Sequence, residues 1–214
     1  MKIALIGATG FVGSAVLKEA LAQGLEVTAI ARHPEKITET SEALTIKAGD
    51  VQNPEEVKAL VAGHDAVVSA YNPGWANPNI YEDFLKGSDA ILEGTKAAGV
   101  NRLLVVGGAG SLEIQPGVQL VDTDSFPAEW KPGALAARDF LNVIRKENEL
   151  DWTFLSPAIH LAPGERTGVF RTGTDSPVFD EKGHCAISVE DLAVALVDEV
   201  RDPQFSRKRF TVGY

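Results

Sequence analysis

The sequence predicts an α/β fold in which helices cover both faces of a doubly wound, mostly parallel sheet. Short continuous apolar runs alternate with helix-like segments from residue 2 to residue 158, and glycine-rich turns follow several of these runs. Continuous apolar runs are typical of strands buried on both faces, and their regular alternation with helices is typical of a parallel sheet. A chain of 214 residues suits one domain, so we expect residues 1–214 to share one fold.

The first predicted strand, residues 2–6, runs directly into a turn with glycines at positions 7, 10 and 13. A helical pattern follows, and Gly24 is suited to ending that helix. Glycines at this spacing let the backbone turn sharply, approach a pyrophosphate closely and pack the helix on the strand, with helix N–H groups aimed at the phosphates. We therefore predict a dinucleotide site formed by Gly7, Thr9, Gly10, Phe11, Val12 and Gly13.

Arg32 follows the second predicted strand, residues 26–31, about 20 residues after the last glycine of the turn. An acidic residue at this place accepts hydrogen bonds from the ribose 2′-hydroxyl of NAD, whereas arginine offers its guanidinium to a 2′-phosphate. We therefore predict NADP, bound as NADPH, as the cofactor. NAD stays open as an alternative, because Arg32 can also stack on adenine. A third strand, residues 44–48, leads to Asp50, which we expect either to contact the ribose or base or to be part of a turn.

The middle of the chain predicts three more strands, over residues 66–70, 102–106 and 152–155, and helices over residues 81–98 and 133–147. Five small residues, Gly107 to Ser111, follow the fifth strand; they either let a flat ring lie against the backbone or form a loose loop. Residues 112–132 lack periodicity and are rich in Gly, Pro and Asp. We predict a long loop there, of the kind that often covers a site.

The C-terminal part of the chain is less regular. We predict a small lobe on the substrate side of the domain over about residues 159–188, with a short strand near residues 169–171. A helix over residues 190–200 and a last strand over residues 209–212 complete the predicted fold.

Composition and charge exclude several classes of function. The net charge of −10 repels a phosphate backbone, so we expect no nucleic-acid partner. No apolar run approaches the roughly 18 residues that span a bilayer, and a strand begins at residue 2, so we expect no membrane association and no signal peptide. Cys185 is the only cysteine, which rules out an internal disulfide and a cysteine-rich metal site. We expect a cytoplasmic protein without a metal centre, and its oligomeric state stays open.

The glycine turn, Arg32, Gly49-Asp50-Val51 and the glycine-rich end of the fifth strand together resemble the extended and atypical short-chain dehydrogenase/reductases. Three further stretches, residues 151–158, 163–168 and 187–193, are similar to the NAD(P)H-flavin reductase and biliverdin reductase-like group. The resemblance implies a Rossmann-like fold with a small C-terminal substrate lobe. It also implies contacts of Arg32 with the 2′-phosphate and of Asp50 and Val51 with adenine. The residues that flank the ribose and nicotinamide would be Ala70, Tyr71, Val106, Gly107, Gly108, Ser156, Pro157 and Ala158.

The chain departs from many short-chain dehydrogenases at their acid–base pair. Those enzymes use Tyr-x-x-x-Lys, in which the lysine lowers the tyrosine pKa so that the phenol can move a proton to or from a carbonyl. The three tyrosines here are Tyr71, Tyr81 and Tyr214, and none has a lysine four residues later. An alcohol dehydrogenase of the usual kind is therefore disfavoured. Flavin reduction does not need the pair, because the ring accepts hydride at a nitrogen.

The leading hypothesis is an NADPH-dependent reductase that acts on a small, flat, conjugated acceptor, with FMN or FAD as candidate substrates. Ser111 and His160 are the predicted catalytic residues, by orienting the substrate or donating a proton, and Lys131 is a further polar candidate. The second hypothesis is a non-catalytic redox sensor resembling the nitrogen-metabolite-repression regulators, and the third is a nucleotide-sugar epimerase or dehydratase. Aromatic residues expected around the site, either stacking on the acceptor or packing locally, are Tyr71, Trp75, Phe126 and Trp130.

Overall fold

The computed structural model describes every residue from Met1 to Tyr214. Its strands are β1 (Lys2–Ile6), β2 (Glu26–Ala31), β3 (Leu44–Ala48), β4 (Ala66–Ser69), β5 (Arg102–Val106), β6 (Glu113–Gln115), β7 (Val118–Gln119), β8 (Asp151–Ser156), β9 (His160–Ala162), β10 (Arg171–Gly173), β11 (Ala186–Ser188) and β12 (Lys208–Gly213). Its α-helices are α1 (Phe11–Ala22), α2 (Pro54–Val61), α3 (Ile80–Ala97), α4 (Lys131–Ile144) and α5 (Val189–Arg201).

Eight strands form the main sheet, in the order β10-β12-β8-β5-β4-β1-β2-β3. Every neighbouring pair is parallel except β10 and β12, which are antiparallel. The order reverses between β1 and β4, so the connections that leave these two strands diverge and open a crevice at their carboxyl ends. The predicted doubly wound, mostly parallel α/β fold is confirmed.

The sheet is buried on both faces by two hydrophobic clusters. One face packs against α1 and α5, with Phe210 and Leu5 in its cluster. The other face packs against α2, α3 and α4, with Phe140 and Phe154 fully buried. This two-faced burial explains why the strands are continuous apolar runs. None of the five helices has the length and apolarity that crossing a membrane requires.

The prediction of a long loop over residues 112–132 is wrong in its first part. Residues 113–119 form a small antiparallel hairpin, β6 paired with β7, and a 3-10 turn follows at Leu120–Asp122. The turn of the hairpin contains Pro116 and Gly117, and Gly117 has a φ of +76°, a conformation that glycine adopts without strain. The Pro-Gly pair was therefore a turn signal, and Leu112 and Val121, both fully buried, hold the segment to the core.

Residues 159–188 contain three short strands. β9 and β11 pair in parallel as a separate two-stranded sheet, whereas β10 extends the main sheet along β12. The short strand predicted near residues 169–171 lies at Arg171–Gly173. This region is therefore joined to the main sheet at its edge and lies beside the carboxyl end of β8.

A buried ion pair fixes α5 to the sheet. Arg102, the first residue of β5, is 6% exposed and donates to the Glu199 carboxylate at 2.8 Å and to its carbonyl at 3.1 Å. It also donates to the Thr153 hydroxyl at 2.8 Å. The Glu199 carboxylate accepts two further bonds from the backbone N–H groups of Gln204 and Phe205, at 2.8 and 3.0 Å. The network ties a strand, a helix and the turn before β12 at the end of the sheet opposite the crevice.

We expect Arg102→Met to lower the free energy of unfolding by about 3–5 kcal/mol, because it leaves the Glu199 carboxylate buried without its cation. Chemical denaturation at neutral pH measures this loss. Lys58→Met is the matched control: the Lys58–Glu55 pair, 3.5 Å apart, is exposed to solvent, and its removal should change stability by less than about 1 kcal/mol. Equal losses of stability for the two substitutions would contradict the stabilising role of the buried Arg102–Glu199 pair.

Candidate functional site

The glycine turn after β1 is built from backbone contacts that leave no room for side chains. Gly7 has a φ of +81°, and a Cβ on it would lie 2.5 Å from the Ala70 carbonyl oxygen at the end of β4. A Cβ on Gly13 would lie 2.0 Å from the Gly7 carbonyl oxygen. Both distances are far inside van der Waals contact, so glycine is required at both places. The first turn of α1 consequently packs directly onto the ends of β1 and β4.

The N-terminus of α1 is open and electropositive. Its cap residue, Gly10, offers no side-chain hydrogen bond, and no acidic residue stands in its first turn. The first bond from the cap is Ser14 N–H to the Gly10 carbonyl at 2.9 Å, which leaves the N–H groups of Phe11, Val12 and Gly13 ahead of it without helical partners. Thr9, Gly10 and Phe11 are exposed. This end fits an anionic group such as a pyrophosphate.

The helices α2 and α5 begin differently. The Asn53 carboxamide caps α2 by accepting from Glu55 N–H at 3.0 Å, and the Ser188 hydroxyl caps α5 by accepting from Asp191 N–H at 3.0 Å. Both helices also carry two acidic residues in their first turn. A side-chain cap and nearby carboxylates occupy and neutralise a helix end. Among these three helix ends, α1 alone is left free for a bound anion.

The residues predicted to hold the adenosine half lie at the ends of β2 and β3. Arg32 comes directly after β2, and its side chain is exposed. Val51 is 5% exposed and packs into the core, whereas Asp50 is exposed. The backbone N–H of Asp50 donates to the Glu56 carboxylate at 2.8 Å, and the Asp50 carboxylate accepts from Gln52 N–H at 3.2 Å. Asp50 therefore does form a turn, and its exposed carboxylate stands on the same sheet edge as Arg32.

The Tyr71 ring is not exposed at the carboxyl edge of the sheet. The side chain is largely buried, and its ring fills the space over Gly87 of α3, where a Cβ would lie 2.5 Å from the ring. Its hydroxyl donates to the Asp83 carbonyl at 2.9 Å and accepts from the Gln52 carboxamide at 2.6 Å. Burial raises the pKa of Tyr71 to about 12. The ring thus packs in the core, which favours local packing over stacking, the two roles considered for it.

The small residues after β5 lie against β8. Gly107 N–H donates to the Leu155 carbonyl at 2.9 Å, and a Cβ on Gly107 would lie 1.9 Å from the Phe154 ring. Glycine at this place lets β5 continue into the loop without displacing a core aromatic. Ser156 and Ala158, at the end of β8, are buried, while Pro157 between them is partly exposed.

The two predicted catalytic residues have different surroundings. Ser111 is 2% exposed, and its hydroxyl accepts from the Arg209 guanidinium at 3.3 Å. His160 has an exposed side chain, and its backbone N–H donates to the Cys185 carbonyl at 3.0 Å in the β9–β11 sheet. The contact of Ser111 with Arg209 was not foreseen, because the two residues are far apart in the sequence.

Three exposed aromatic side chains belong to segments at the carboxyl edge of the sheet. Phe11 at the start of α1 is 51% exposed, Trp75 after β4 is 59% exposed, and Trp130 just before α4 is 52% exposed. The Trp75 ring reaches the first turn of α4, where a Cβ on Gly133 would lie 2.7 Å from it. Phe126 and Lys131 are half-buried. Exposed aromatic surface at this edge of the sheet is suited to contact with flat rings.

None of the three tyrosines forms an acid–base pair with a lysine. The Tyr81 hydroxyl donates to the Asp139 carboxylate at 2.7 Å, and this hydrogen bond raises the pKa of Tyr81. The Tyr214 hydroxyl donates to the Asp191 carboxylate at 2.8 Å. A raised phenol pKa, as in Tyr81, is opposite to the requirement of the Tyr-x-x-x-Lys mechanism. In the structure, as in the sequence, no tyrosine has the lysine partner that this mechanism requires.

Asp191 joins two of the C-terminal stretches that carry the family resemblance. It is fully buried in the first turn of α5, and its carboxylate accepts from Thr167 N–H at 2.8 Å, the Thr167 hydroxyl at 2.6 Å and Gly168 N–H at 2.7 Å. Arg166 beside them forms a two-point pair with Glu19 of α1, at 2.6 and 2.7 Å. These bonds fasten residues 163–168 to α1 and α5, close to the exposed Phe11.

The fold and the turn after β1 define an α/β dinucleotide-binding protein. The family model described as NAD(P)H-binding matches residues 7–203, and the chain belongs to this family. The open end of α1, without a side-chain cap or an acidic residue in its first turn, fits the anionic phosphates of a nicotinamide dinucleotide.

Several relatives match along the full chain. The uncharacterized protein YwnB of Bacillus subtilis is 38% identical over 99% of this chain and 98% of its own length. A structure from Bacteroides thetaiotaomicron, provisionally described as an epimerase, is 50% identical with a TM-score of 0.94, covering 100% of this chain and 96% of that one. A structure from Streptococcus pneumoniae, provisionally described as an NADH-flavin reductase, is 37% identical with a TM-score of 0.86, covering 100% and 99%.

We expect Asp191→Asn to lower the free energy of unfolding at pH 7 by about 1.5–3 kcal/mol, because hydrogen bonds to a carboxylate are lost. Burial alone would raise the pKa of Asp191, but the hydrogen bonds from Thr167, Gly168 and Tyr214 outweigh it and hold the pKa below the usual value of 3.8. A carboxyl with a lowered native pKa stabilises the fold fully above its unfolded pKa and loses this effect as pH falls through its native pKa.

The stability difference between the original protein and Asp191→Asn should consequently shrink as pH falls below about 4. Urea unfolding followed at several pH values between 2 and 7 measures it. Asp124→Asn, in an exposed stretch, is the control and should change stability little at any pH. A difference for Asp191→Asn that stays constant across this range would refute the role of the ionised carboxylate.

Proposed function

We propose that this chain is an NADPH-dependent reductase that transfers hydride to a flavin or a similar flat, conjugated acceptor without a tyrosine–lysine pair. One observation carries the proposal: an open dinucleotide turn shares the sheet edge with the exposed aromatic residues Phe11, Trp75 and Trp130, while every tyrosine hydroxyl is bound elsewhere. Membership of the NAD(P)H-binding family supports the cofactor class.

The residues of the chain would act by binding and orientation. The N–H groups of Phe11, Val12 and Gly13 would hold the pyrophosphate, and Arg32 would hold the 2′-phosphate by charge-assisted hydrogen bonds. A bound NADPH supplies hydride from its nicotinamide ring. Trp75 and Trp130 would stack on the acceptor and exclude water from the hydride path, which is the contribution that positioning makes to such a transfer.

No side chain needs to deliver a proton to a carbonyl in this reaction. The flavin ring takes up hydride at a nitrogen, and the one further proton that completes the reduction comes from solvent. A reaction that needs no proton donor from the protein is compatible with this site, in which the predicted polar residues are a buried Ser111 and an exposed His160. The relative from Streptococcus pneumoniae, provisionally described as an NADH-flavin reductase, supports the same acceptor class.

An epimerase of nucleotide sugars fits the site less well, although the relative from Bacteroides thetaiotaomicron is provisionally described as an epimerase. Oxidation of a sugar hydroxyl needs a base that removes its proton. The raised pKa values of Tyr71 and Tyr81 make these phenols poor bases at neutral pH. We therefore favour the reductase.

The acceptor class is tested by following NADPH oxidation with FMN, FAD, a quinone, a linear tetrapyrrole and a simple aldehyde. We expect turnover on the flat conjugated acceptors and none on the aldehyde. Trp75→Ala should raise the KM for the acceptor about tenfold, because a stacking contact of about 1.4 kcal/mol is lost, and leave the KM for NADPH unchanged. Phe179→Ala is the control, since Phe179 is also an exposed aromatic (44%) but lies beyond β10. Tight NADPH binding without turnover on any acceptor would refute the reductase and favour the redox sensor.

The preference for NADPH is tested with Arg32→Ala. We expect the Kd for NADPH to rise roughly 10- to 100-fold, because charge-assisted hydrogen bonds to the 2′-phosphate are lost, while the Kd for NADH stays within about threefold. Lys36→Ala is the matched control, as an exposed cation four residues further along the same connection. A ratio of the two Kd values that Arg32→Ala leaves unchanged would contradict the 2′-phosphate role.

A further inference from the structure

Arg209 is a buried arginine that contacts two segments at the carboxyl edge of the sheet. It is the second residue of β12, stands in register with Phe154 of β8, and is 5% exposed. Its Nη1 donates to the Ser111 hydroxyl at 3.3 Å, to the Ser111 carbonyl at 3.4 Å and to the Ser156 hydroxyl at 3.3 Å. One guanidinium nitrogen thus lies between the loop after β5 and the last residue of β8.

The opposite side of the guanidinium is held by Asp175. Arg209 Nε donates to the Asp175 carboxylate at 3.1 Å, and Nη2 donates to the same carboxylate and to the Asp175 carbonyl. Arg145 donates to this carboxylate as well, at 3.0 Å. Burial lowers the pKa of Arg209, and the contact with Asp175 opposes this effect. Because every guanidinium nitrogen has a partner, the orientation of the side chain is fixed.

The contact with the guanidinium also sets what the two serine hydroxyls can do. Each oxygen accepts from Arg209, so each hydroxyl keeps its hydrogen for donation. Ser111 is 2% exposed and Ser156 is fully buried, so water does not compete for these groups. The distances from Nη1 are at the long end for hydrogen bonds, which makes the contribution of Arg209 positional more than energetic.

We propose that Arg209 is a positioning residue for the nicotinamide half of the site: it sets the separation between the loop Gly107–Ser111 and the end of β8 at Ser156. The inference rests on the proposed placement of the nicotinamide between these two segments. A lysine cannot replace the arginine in this role, because a single ammonium group does not face the serines and Asp175 at once, whereas the planar fork does.

The test compares the binding of two ligands by Arg209→Lys, which keeps the charge. NADPH contains the nicotinamide, and 2′-phospho-ADP-ribose lacks it while sharing the rest of the molecule. We expect Arg209→Lys to raise the Kd for NADPH at least tenfold and to leave the Kd for 2′-phospho-ADP-ribose within twofold. NADH and ADP-ribose serve as the pair if the protein prefers NADH. Asp175→Asn removes the carboxylate that holds the far side of the guanidinium. It should raise the ratio of the Kd for NADPH to the Kd for 2′-phospho-ADP-ribose by about threefold.

Arg102→Lys is the matched control, because Arg102 is also a buried, ion-paired arginine next to β8 but lies at the opposite end of the sheet. It should lower stability and leave the ratio of the two Kd values unchanged. Equal losses for both ligands in Arg209→Lys, or no loss for either, would overturn the proposal. Binding needs no turnover, so a protein that reduces no acceptor would disprove the proposed function and still report on Arg209.

Discussion

The contact between the Gly13 Cα and the Gly7 carbonyl sets the geometry of the site. The distance of 2.0 Å that a Cβ would have from this oxygen means that α1 touches the end of β1 through backbone alone. Gly7 touches Ala70, the residue after β4, in the same way. Three segments of main chain therefore meet without intervening side chains. Their close packing directs the free N–H groups of α1 into the crevice between β1 and β4, where the strand order reverses.

Local signals of this kind were readable from the sequence. The spacing of the three glycines, the place of Arg32 after β2 and the continuous apolar strands each depend on neighbours along the chain, and they predicted the sheet, the turn and the sheet edge. Whether Tyr71 stacks on a ligand or packs locally could not be decided from such signals. It follows β4 as a site residue would, but its ring is buried because Gly87 leaves space for it and because Gln52 and Asp83 satisfy its hydroxyl.

Contacts between distant parts of the chain could not be predicted, because no local sequence pattern indicates them. Arg209 meets Ser111 and Ser156 only because β12 returns to pair with β8 in one particular register. Asp191 looks like an ordinary acidic residue in the first turn of a helix, where it would favour the helix dipole. In the structure its carboxylate instead accepts hydrogen bonds from Thr167 and Gly168. These long-range bonds depend on the conformation of a segment with no regular secondary structure, which the sequence pattern does not predict.

The charge of the protein and that of its cofactor have the same sign, which limits how the cofactor can be held. A chain with a net charge of −10 repels a dinucleotide phosphate at long range, yet this repulsion is screened beyond about 8 Å at physiological ionic strength. Binding must then come from groups in contact with the phosphates. In the proposed site, an uncapped α1, free of acidic residues in its first turn, and an exposed Arg32 would provide such groups. The α2 and α5 helices carry carboxylates in their first turns, and these negative charges repel an anion. An anionic ligand is therefore favoured at the N-terminus of α1 over those of α2 and α5.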